Sequence, residues 1–553
     1  MQRVNGTACS REVRHALTRI RRWFAPRFTG LTEEIGKRVA DNVARLQEMA
    51  SRFAARGVSR TCAVVAASLV LLLAANAAGG ERPDGGEKDQ PNVILLMFDD
   101  LGYDDVGYHD SDHYVQGVTP NIDEMAESSL VFERFYAGAP VCSPTRGSAL
   151  TGRHPFRYGV FHANTGHLPE DELNLAEELK QEGYQTGHFG KWHLGTLTTE
   201  VEDSNRGRPG HTEHFAPPWE RSFDAAFSTE AKVPTYNPTV RPADFSDHPG
   251  NLQHWWDPDI EEDNIQHYGT HYWDESGGKV TENVDGPDAE VIMDRAIPFI
   301  ENAVEEEDPF LAVVWFHEPH WPVVAGADHA GQFPELKEFG QHYYGCISHA
   351  DEQVGRLREA LRDLGVADNT MFWLTSDNGP EGGQTYPGSA APLRGRKRDL
   401  YEGGIRVPAL LEWPARISEQ RTTDMPAVTH DYLPTIAEVL DIELPPDRPL
   451  DGISLVPLIN GEMNERPEPI AFQFEGRLAL SGNRYKLVHY PSNRDGRFAA
   501  PPWNWELYDL TEDVSESNDL AGEEPEIVER MSEYLMQWND SVRASLEEVE
   551  DNR

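Results

Sequence analysis

Three continuous apolar runs, each stopping abruptly at side chains that can do chemistry, constrain this chain more than any other feature. Asn92-Val93-Ile94-Leu95-Leu96-Met97-Phe98 runs into Asp99-Asp100, and Thr370-Met371-Phe372-Trp373-Leu374-Thr375 runs into Ser376-Asp377-Asn378-Gly379. A third run, Pro309 to Phe316, ends at His317-Glu318-Pro319-His320. Runs without polar alternation predict strands buried on both faces, the habit of parallel sheets. Helical periodicity over Leu175–Glu182, Asp288–Val304 and His342–Leu364 supplies the alternation of an α/β fold. Open α/β sheets bind ligands outside the carboxyl ends of their strands. The polar residues at the three run ends are therefore the first candidates for a site.

Asp99, Asp100, Asp377 and Asn378 offer hard oxygen donors from two of those ends, a set suited to Ca²⁺ or Mg²⁺ and not to a soft metal. A single Asp-Asp pair is commonly a solvated turn; two strand ends, one with Asn beside Asp, favour a cation site.

The formal net charge of -45 hides an asymmetry. Residues 1–60 hold 13 Lys/Arg against 5 Asp/Glu, so the remainder is more acidic still. Such a body repels nucleic acid and anionic membranes, and an anionic substrate needs a local basic pocket. The front of the chain reads as targeting sequence. Arg52, Arg56 and Arg60 precede an apolar stretch from Cys62 to Ala75, and Ala75-Asn76-Ala77 has the form of a signal-peptidase site. The stretch is too short for a stable membrane span. Residues 1–77 are thus expected to be an extension plus signal peptide, with Met49 as the true start, and the protein to be exported, periplasmic or secreted. Removal of this leader leaves Cys142 and Cys346, too few for a disulfide scaffold, although the two could form one bridge.

Residues 78–90 are Gly-, Asp- and Glu-rich and read as a linker. A catalytic domain is expected over 91–463. Within it, 200–285 reads as a long excursion from the scaffold, with aromatics (Trp255, Trp256, Tyr268, Tyr272, Trp273) that either stack on sugar rings or pack the insertion. Residues 464–553 form an expected subdomain of short antiparallel strands (Ile470–Phe474, Leu478–Ser481, Tyr485–Tyr490, Glu506–Asp509) closed by a helix over Pro525–Val542.

Four further segments carry chemistry. Val141-Cys142-Ser143-Pro144-Thr145-Arg146-Gly147 precedes Leu150-Thr151-Gly152-Arg153, and Gly187-His188-Phe189-Gly190-Lys191-Trp192-His193 follows about 45 residues after the cysteine. Pro319-His320-Trp321-Pro322 and Leu393-Arg394-Gly395-Arg396-Lys397 complete the set, the last leading into Tyr401-Glu402-Gly403-Gly404-Ile405-Arg406. A tyrosine-phosphatase loop is excluded, since position 148 is Ser where that loop needs Arg. Taken singly these segments are surface loops or salt-bridge groups. Taken in order, C-x-P-x-R, T-G-R, Lys191-x-His193, His320 and Lys397 resemble the type I, formylglycine-dependent sulfatase family of the alkaline phosphatase superfamily.

The resemblance implies an alkaline-phosphatase-like sandwich, with a large mixed central sheet flanked by helices and a smaller C-terminal subdomain. It implies that a formylglycine-generating enzyme oxidises Cys142 to Cα-formylglycine, whose hydrate ligates the metal and attacks sulfur. Arg146, Lys191, His193, His320 and Lys397 become the catalytic company, and a sulfated small molecule or glycan the substrate. Two rivals stand beside this: a phosphatase or phosphonate monoester hydrolase on the same scaffold, and a catalytically silent binder of sulfated glycans with Cys142 unmodified.

Overall fold

Strand β1 (Asn92–Phe98) serves two cores at once. Ile94, Leu96 and Phe98 face one apolar cluster, while Val93, Leu95 and Met97 face another, as the two-residue period of a strand requires. The computed structural model describes residues 90–110, 115–245, 254–383, 386–491 and 496–551, so the expected leader lies outside the described residues. Residues Lys88–Arg553 make up one compact unit.

The other strands of the main sheet are β2 (Leu130–Phe132), β3 (Gln185–Lys191), β4 (Ala225–Thr229), β5 (Tyr272–Asp274), β6 (Lys279–Val280), β7 (Phe310–Trp315), β8 (Thr370–Ser376), β9 (Ala409–Glu412) and β10 (Arg421–Thr423). They lie in the order β10-β2-β9-β8-β1-β7-β3-β4-β5-β6. The central five, β8-β1-β7-β3-β4, are parallel. Antiparallel pairings bring in β9 and β2 on one side and β5 and β6 on the other.

Helices α1 (Pro120–Ala126), α4 (Asp288–Glu305) and α5 (Glu338–Asp363) cover the face of Ile94 and Phe98. Helices α2 (Cys142–Thr151), α3 (Leu175–Gln181) and α6 (Tyr432–Leu440) cover the other. The expected sandwich with a mixed central sheet is what the chain forms.

The C-terminal sheet is β11 (Ile470–Phe474), β12 (Arg477–Ser481), β13 (Tyr485–His489) and β14 (Trp505–Asp509), antiparallel in chain order. Leu480, Leu487 and Leu507 pack under α7 (Pro525–Asp551), which runs nine residues beyond the expected end. Its opposite face, with Phe472 and Val488, packs on Val141, Leu400 and Ile405. The small sheet therefore backs the segments that carry Cys142 and Lys397. Each fully buried side chain in that contact contributes about 1.5–3 kcal/mol.

One expectation is corrected. Residues 200–285 leave the scaffold only in part, because β4 inserts as the fifth parallel strand and β5 and β6 extend the sheet, while Val240–Pro242 and Ile265–His267 pair in a separate two-stranded sheet. A five-residue strand of Ala, Ser and Thr around one Phe carries too little apolar signal to be read. The aromatics of this stretch mostly pack. Tyr272 is fully buried and stacks on Phe227 at 4.0 Å, and Trp256, Tyr268 and Trp273 are buried.

Candidate active site

Register aligns the strand ends. Phe98 lies opposite Ser376, Met97 opposite Trp315, and Trp315 opposite Gly190. Asp99-Asp100, Asp377-Asn378 and Lys191 consequently leave the sheet at one edge, with His317–His320 following β7. Gly190, at φ +101°, permits this convergence, because a Cβ there would sit 2.0 Å from the Trp315 carbonyl oxygen.

Cys142 is the first residue of α2, after Val141 in an extended conformation. A helix N-terminus favours negative charge on that residue. The thiol lies 3.5 Å from Asp99 Oδ1, and Lys397 Nζ lies 3.4 Å from it. Cys346 is a separate buried free thiol, so the two cysteines form no bridge. Burial pushes the Cys142 thiol well up, with Asp377 adding to the effect. As a thiol it is a poor nucleophile.

Around Cys142 six charges are buried together. Lys191 Nζ meets Asp99 Oδ2 at 2.5 Å, and Lys397 Nζ meets Asp100 Oδ1 at 2.5 Å. Arg146 holds Asp377 through Nε at 3.1 Å and Nη2 at 2.7 Å, and donates from Nη1 to the Lys191 carbonyl at 3.0 Å. Three carboxylates and three cations cancel formally. Burial and the neighbouring carboxylates still push Asp100 up to about 7 against the pull of Lys397. Burial would raise Asp99 too, but Lys191 and its fellow cations hold it well below the usual range.

Two oxygens in this cluster have no hydrogen-bond partner: Asp100 Oδ2 and Asn378 Oδ1. Asn378 turns its nitrogen toward Asp100 Oδ1 at 2.6 Å, which leaves its oxygen free. Ligand atoms of Asp99, Asp100, Cys142 and His320 all lie within 4.8 Å of one another. Orphaned hard oxygens beside crowded carboxylates fit a divalent cation.

His320 donates from Nδ1 to the Trp321 carbonyl at 2.7 Å, so Nε2, 3.7 Å from Asp100 Oδ2, is the atom free to exchange a proton. Burial holds this imidazole well below its ordinary value. His193 is buried and lies in the left-handed region at φ 57°. Its Nε2 pairs with Asn164 Oδ1 at 2.9 Å, and its buried Nδ1 has no partner. Burial, then Lys191, keeps it neutral.

All the candidate residues from the sequence thus converge, with His193 beside the cluster and unbonded to it. Two residues escaped the sequence. Glu381 sits 3.4 Å from Lys397 Nζ and grips Arg398 at 2.6 and 2.9 Å. Its signal was weak: it merely continues the run from Asp377. Asn164 lies between motifs and carried no signal. Segment 393–406 reaches the strand end because Gly379 lies flat on Gly403; a Cβ on Gly379 would stand 1.9 Å from the Gly403 oxygen.

Comparison with known proteins agrees with this geometry. The sulfatase family profile matches residues 91–442. The chain belongs to the sulfatase family. A profile of the C-terminal region of N-sulphoglucosamine sulphohydrolase matches 396–541. Human arylsulfatase A is 30% identical over 510 residues, covering 85% of this chain and 90% of the relative. Human N-acetylgalactosamine-6-sulfatase is 31% identical over 446 residues, covering 76% and 73%. A crystal structure described as Ps i-CgsB in complex with k-i-k-neocarrahexaose superposes with a TM-score of 0.65 at 26% identity, covering 81% of this chain and 93% of that one. This sulfatase is an enzyme that hydrolyses sulfate esters, with the fold of the alkaline phosphatase superfamily. Family membership implies a formylglycine and a divalent metal, and the oxygen-rich cluster at Asp99–Asp100 is where this chain can hold one.

Proposed function

We propose that this sulfatase removes sulfate from a sulfated carbohydrate through a formylglycine hydrate at position 142, with Ca²⁺ held by Asp99, Asp100, Asp377 and Asn378. The observation that carries the reading is the pair of partnerless buried oxygens, Asp100 Oδ2 and Asn378 Oδ1, beside the Cys142 side chain. When bound, the cation supplies positive charge to an otherwise balanced cluster, which draws in an anionic ester and lowers the pKa of a nearby hydroxyl. Residues 91–463 form the catalytic domain in this reading and 464–553 the subdomain behind it.

The residues divide the work. A formylglycine hydrate at 142 would supply an ionised hydroxyl as the nucleophile toward sulfur, and Lys191, Lys397 and Arg146 would stabilise charge on the sulfuryl oxygens. Burial opposes the charge on Lys397, yet Asp100 and its neighbours hold its pKa well above the ordinary value, so it keeps its proton. His320 is neutral in the free enzyme, and an arriving anionic ester favours its protonation. Its Nε2 then gives that proton to the departing alcohol oxygen as the ester S–O bond breaks. His193 Nδ1 removes the proton from the second hydroxyl. With His193 as that base, the hydrate would supply a route that releases sulfate by C–O cleavage, with no second attack on sulfur.

The sugar assignment draws on the names of one relative, an N-acetylgalactosamine-6-sulfatase, and one neighbour, a neocarrahexaose complex. A formylglycine-generating enzyme is the maturation partner, and export through the leader brings the enzyme to extracellular glycans. Peptide mass spectrometry across position 142 tests the reading: the mass of formylglycine is expected, and an intact thiol in the purified active enzyme would overturn it. Cys142→Ser is expected to stop turnover after at most one sulfate per molecule.

A further inference from the structure

A second group of metal-ligating side chains shares no residue with the catalytic cluster. His349 and Glu352 lie three apart on α5 and so project from one face. His329 comes from the short helix Ala327–Ala330, and Glu290 from α4. His329 Nε2 is 3.2 Å from Glu352 Oε2, and His349 Nε2 is 3.5 Å from Glu290 Oε2. The two imidazole rings stand 4.8 Å apart, nearly perpendicular. One ring nitrogen from each histidine and one Glu352 oxygen lie within 4.8 Å of one another.

These spacings are close to those of a coordination sphere. Ligands about 2.0–2.1 Å from a tetrahedral Zn²⁺ stand roughly 3.4 Å apart. Glu352 and Glu290 are both half exposed, so their carboxylates can close the remaining distance by changing rotamer. His349 is 7% exposed, and its Nδ1 is buried without a hydrogen-bond partner.

We propose that His329, His349 and Glu352, with Glu290 as the fourth donor, form a structural zinc site separate from the oxygen-rich catalytic one. Two imidazoles and two carboxylates suit a borderline cation such as Zn²⁺ better than Ca²⁺. Two neutral rings and two negative charges also balance the ion, so its binding leaves no net buried charge. The site ties the segment after His320, nine residues upstream of His329, to α4 and α5.

The test uses the purified full-length enzyme, stripped with chelator and then saturated with Ca²⁺. Calorimetric titration with Zn²⁺ is expected to show about one equivalent, bound at roughly 10 µM or tighter, and a raised melting temperature. His329→Ala and Glu352→Gln, at accessible positions, should each weaken binding about tenfold or more while leaving sulfatase turnover intact. Asp377→Asn should leave zinc binding unchanged. Binding weaker than about 10 µM would overturn the proposal. So would binding that survives both variants, or binding lost in Asp377→Asn, which would place the zinc in the catalytic cluster.

Discussion

Asp431 and Asp100 are both buried carboxylates beside a basic side chain, and they are satisfied in opposite ways. Asp431 accepts from Arg466 at 2.7 and 2.8 Å and from the Val428 and Ile453 backbone N–H groups at 2.9 and 2.8 Å. Both of its oxygens are doubly served. Asp100 has one crowded oxygen, shared by Lys397 and Asn378, and one with no hydrogen bond at all. A buried ion pair meets its desolvation cost only when the remaining lone pairs are also satisfied. Asp431 meets that condition and locks α6 to the C-terminal segment. Asp100 does not, and its surplus acceptor is of use only to something that arrives later.

The comparison fails most visibly if Asp100 proves structural. Asp100→Asn is expected to lower kcat/KM by roughly a thousandfold, about 4 kcal/mol of transition-state stabilisation. Its stability should fall far less than that of Asp431→Ala, because the folded state disfavours the charge on this carboxyl and Glu381 remains 3.4 Å from Lys397. Steady-state kinetics and denaturant melts on the same sample decide it. A large loss of stability with unchanged kinetics would reverse the assignment.

Asp431→Ala should do the converse. Removing one partner leaves the Arg466 guanidinium buried and unpaired, at a cost of about 3–5 kcal/mol. Turnover per folded molecule should stay within about twofold, because no atom of Asp431 reaches the catalytic cluster. A urea midpoint that does not move would show that the pair is not what holds the segment.

Asp451 extends the same logic to pH. It accepts from Arg157 Nε and Nη2 at 2.7 and 2.8 Å and from Trp538 Nε1 of α7 at 2.7 Å. Burial would raise this carboxyl, yet Arg157 holds it well below the usual range. A depressed folded pKa contributes stability that is complete above the unfolded value of about 3.9 and is lost as pH falls from there toward the folded value. Asp451→Asn should therefore be less stable than the parent at neutral pH and lose less of its stability on acidification below about pH 4. Parallel acid slopes in melts of the two proteins would sink this account.

The contrast also explains what the sequence could and could not reveal. Asp99, Asp100 and Asp377 were legible because each interrupts an apolar run, and burial on both faces leaves no other reason for a carboxylate there. Cys142, Arg146 and Lys397 were legible through motif order. The helix beginning at Cys142 was not, since Cys-Ser-Pro reads locally as a turn, and β3 was hidden by its two glycines and a histidine. Asp431 and Asp451 were invisible. Their partners, Arg466 and Arg157, lie 35 and 294 residues away, and no local pattern records so distant a pairing.

The smallest effect expected lies at the rim. Glu381 shares Lys397 with Asp100 and pairs with the half-exposed Arg398, so it partly cancels the charge that an anion meets on entry. If its role is electrostatic, Glu381→Gln should tighten competitive inhibition by inorganic sulfate about three- to tenfold, with the gain shrinking as salt is added. If its role is instead to position Lys397, losing the carboxylate should weaken sulfate binding and slow turnover together. The direction of the change in inhibition constant separates the two. Tighter binding would place Glu381 with the unsatisfied charges of the catalytic centre, and weaker binding would place it with Asp431.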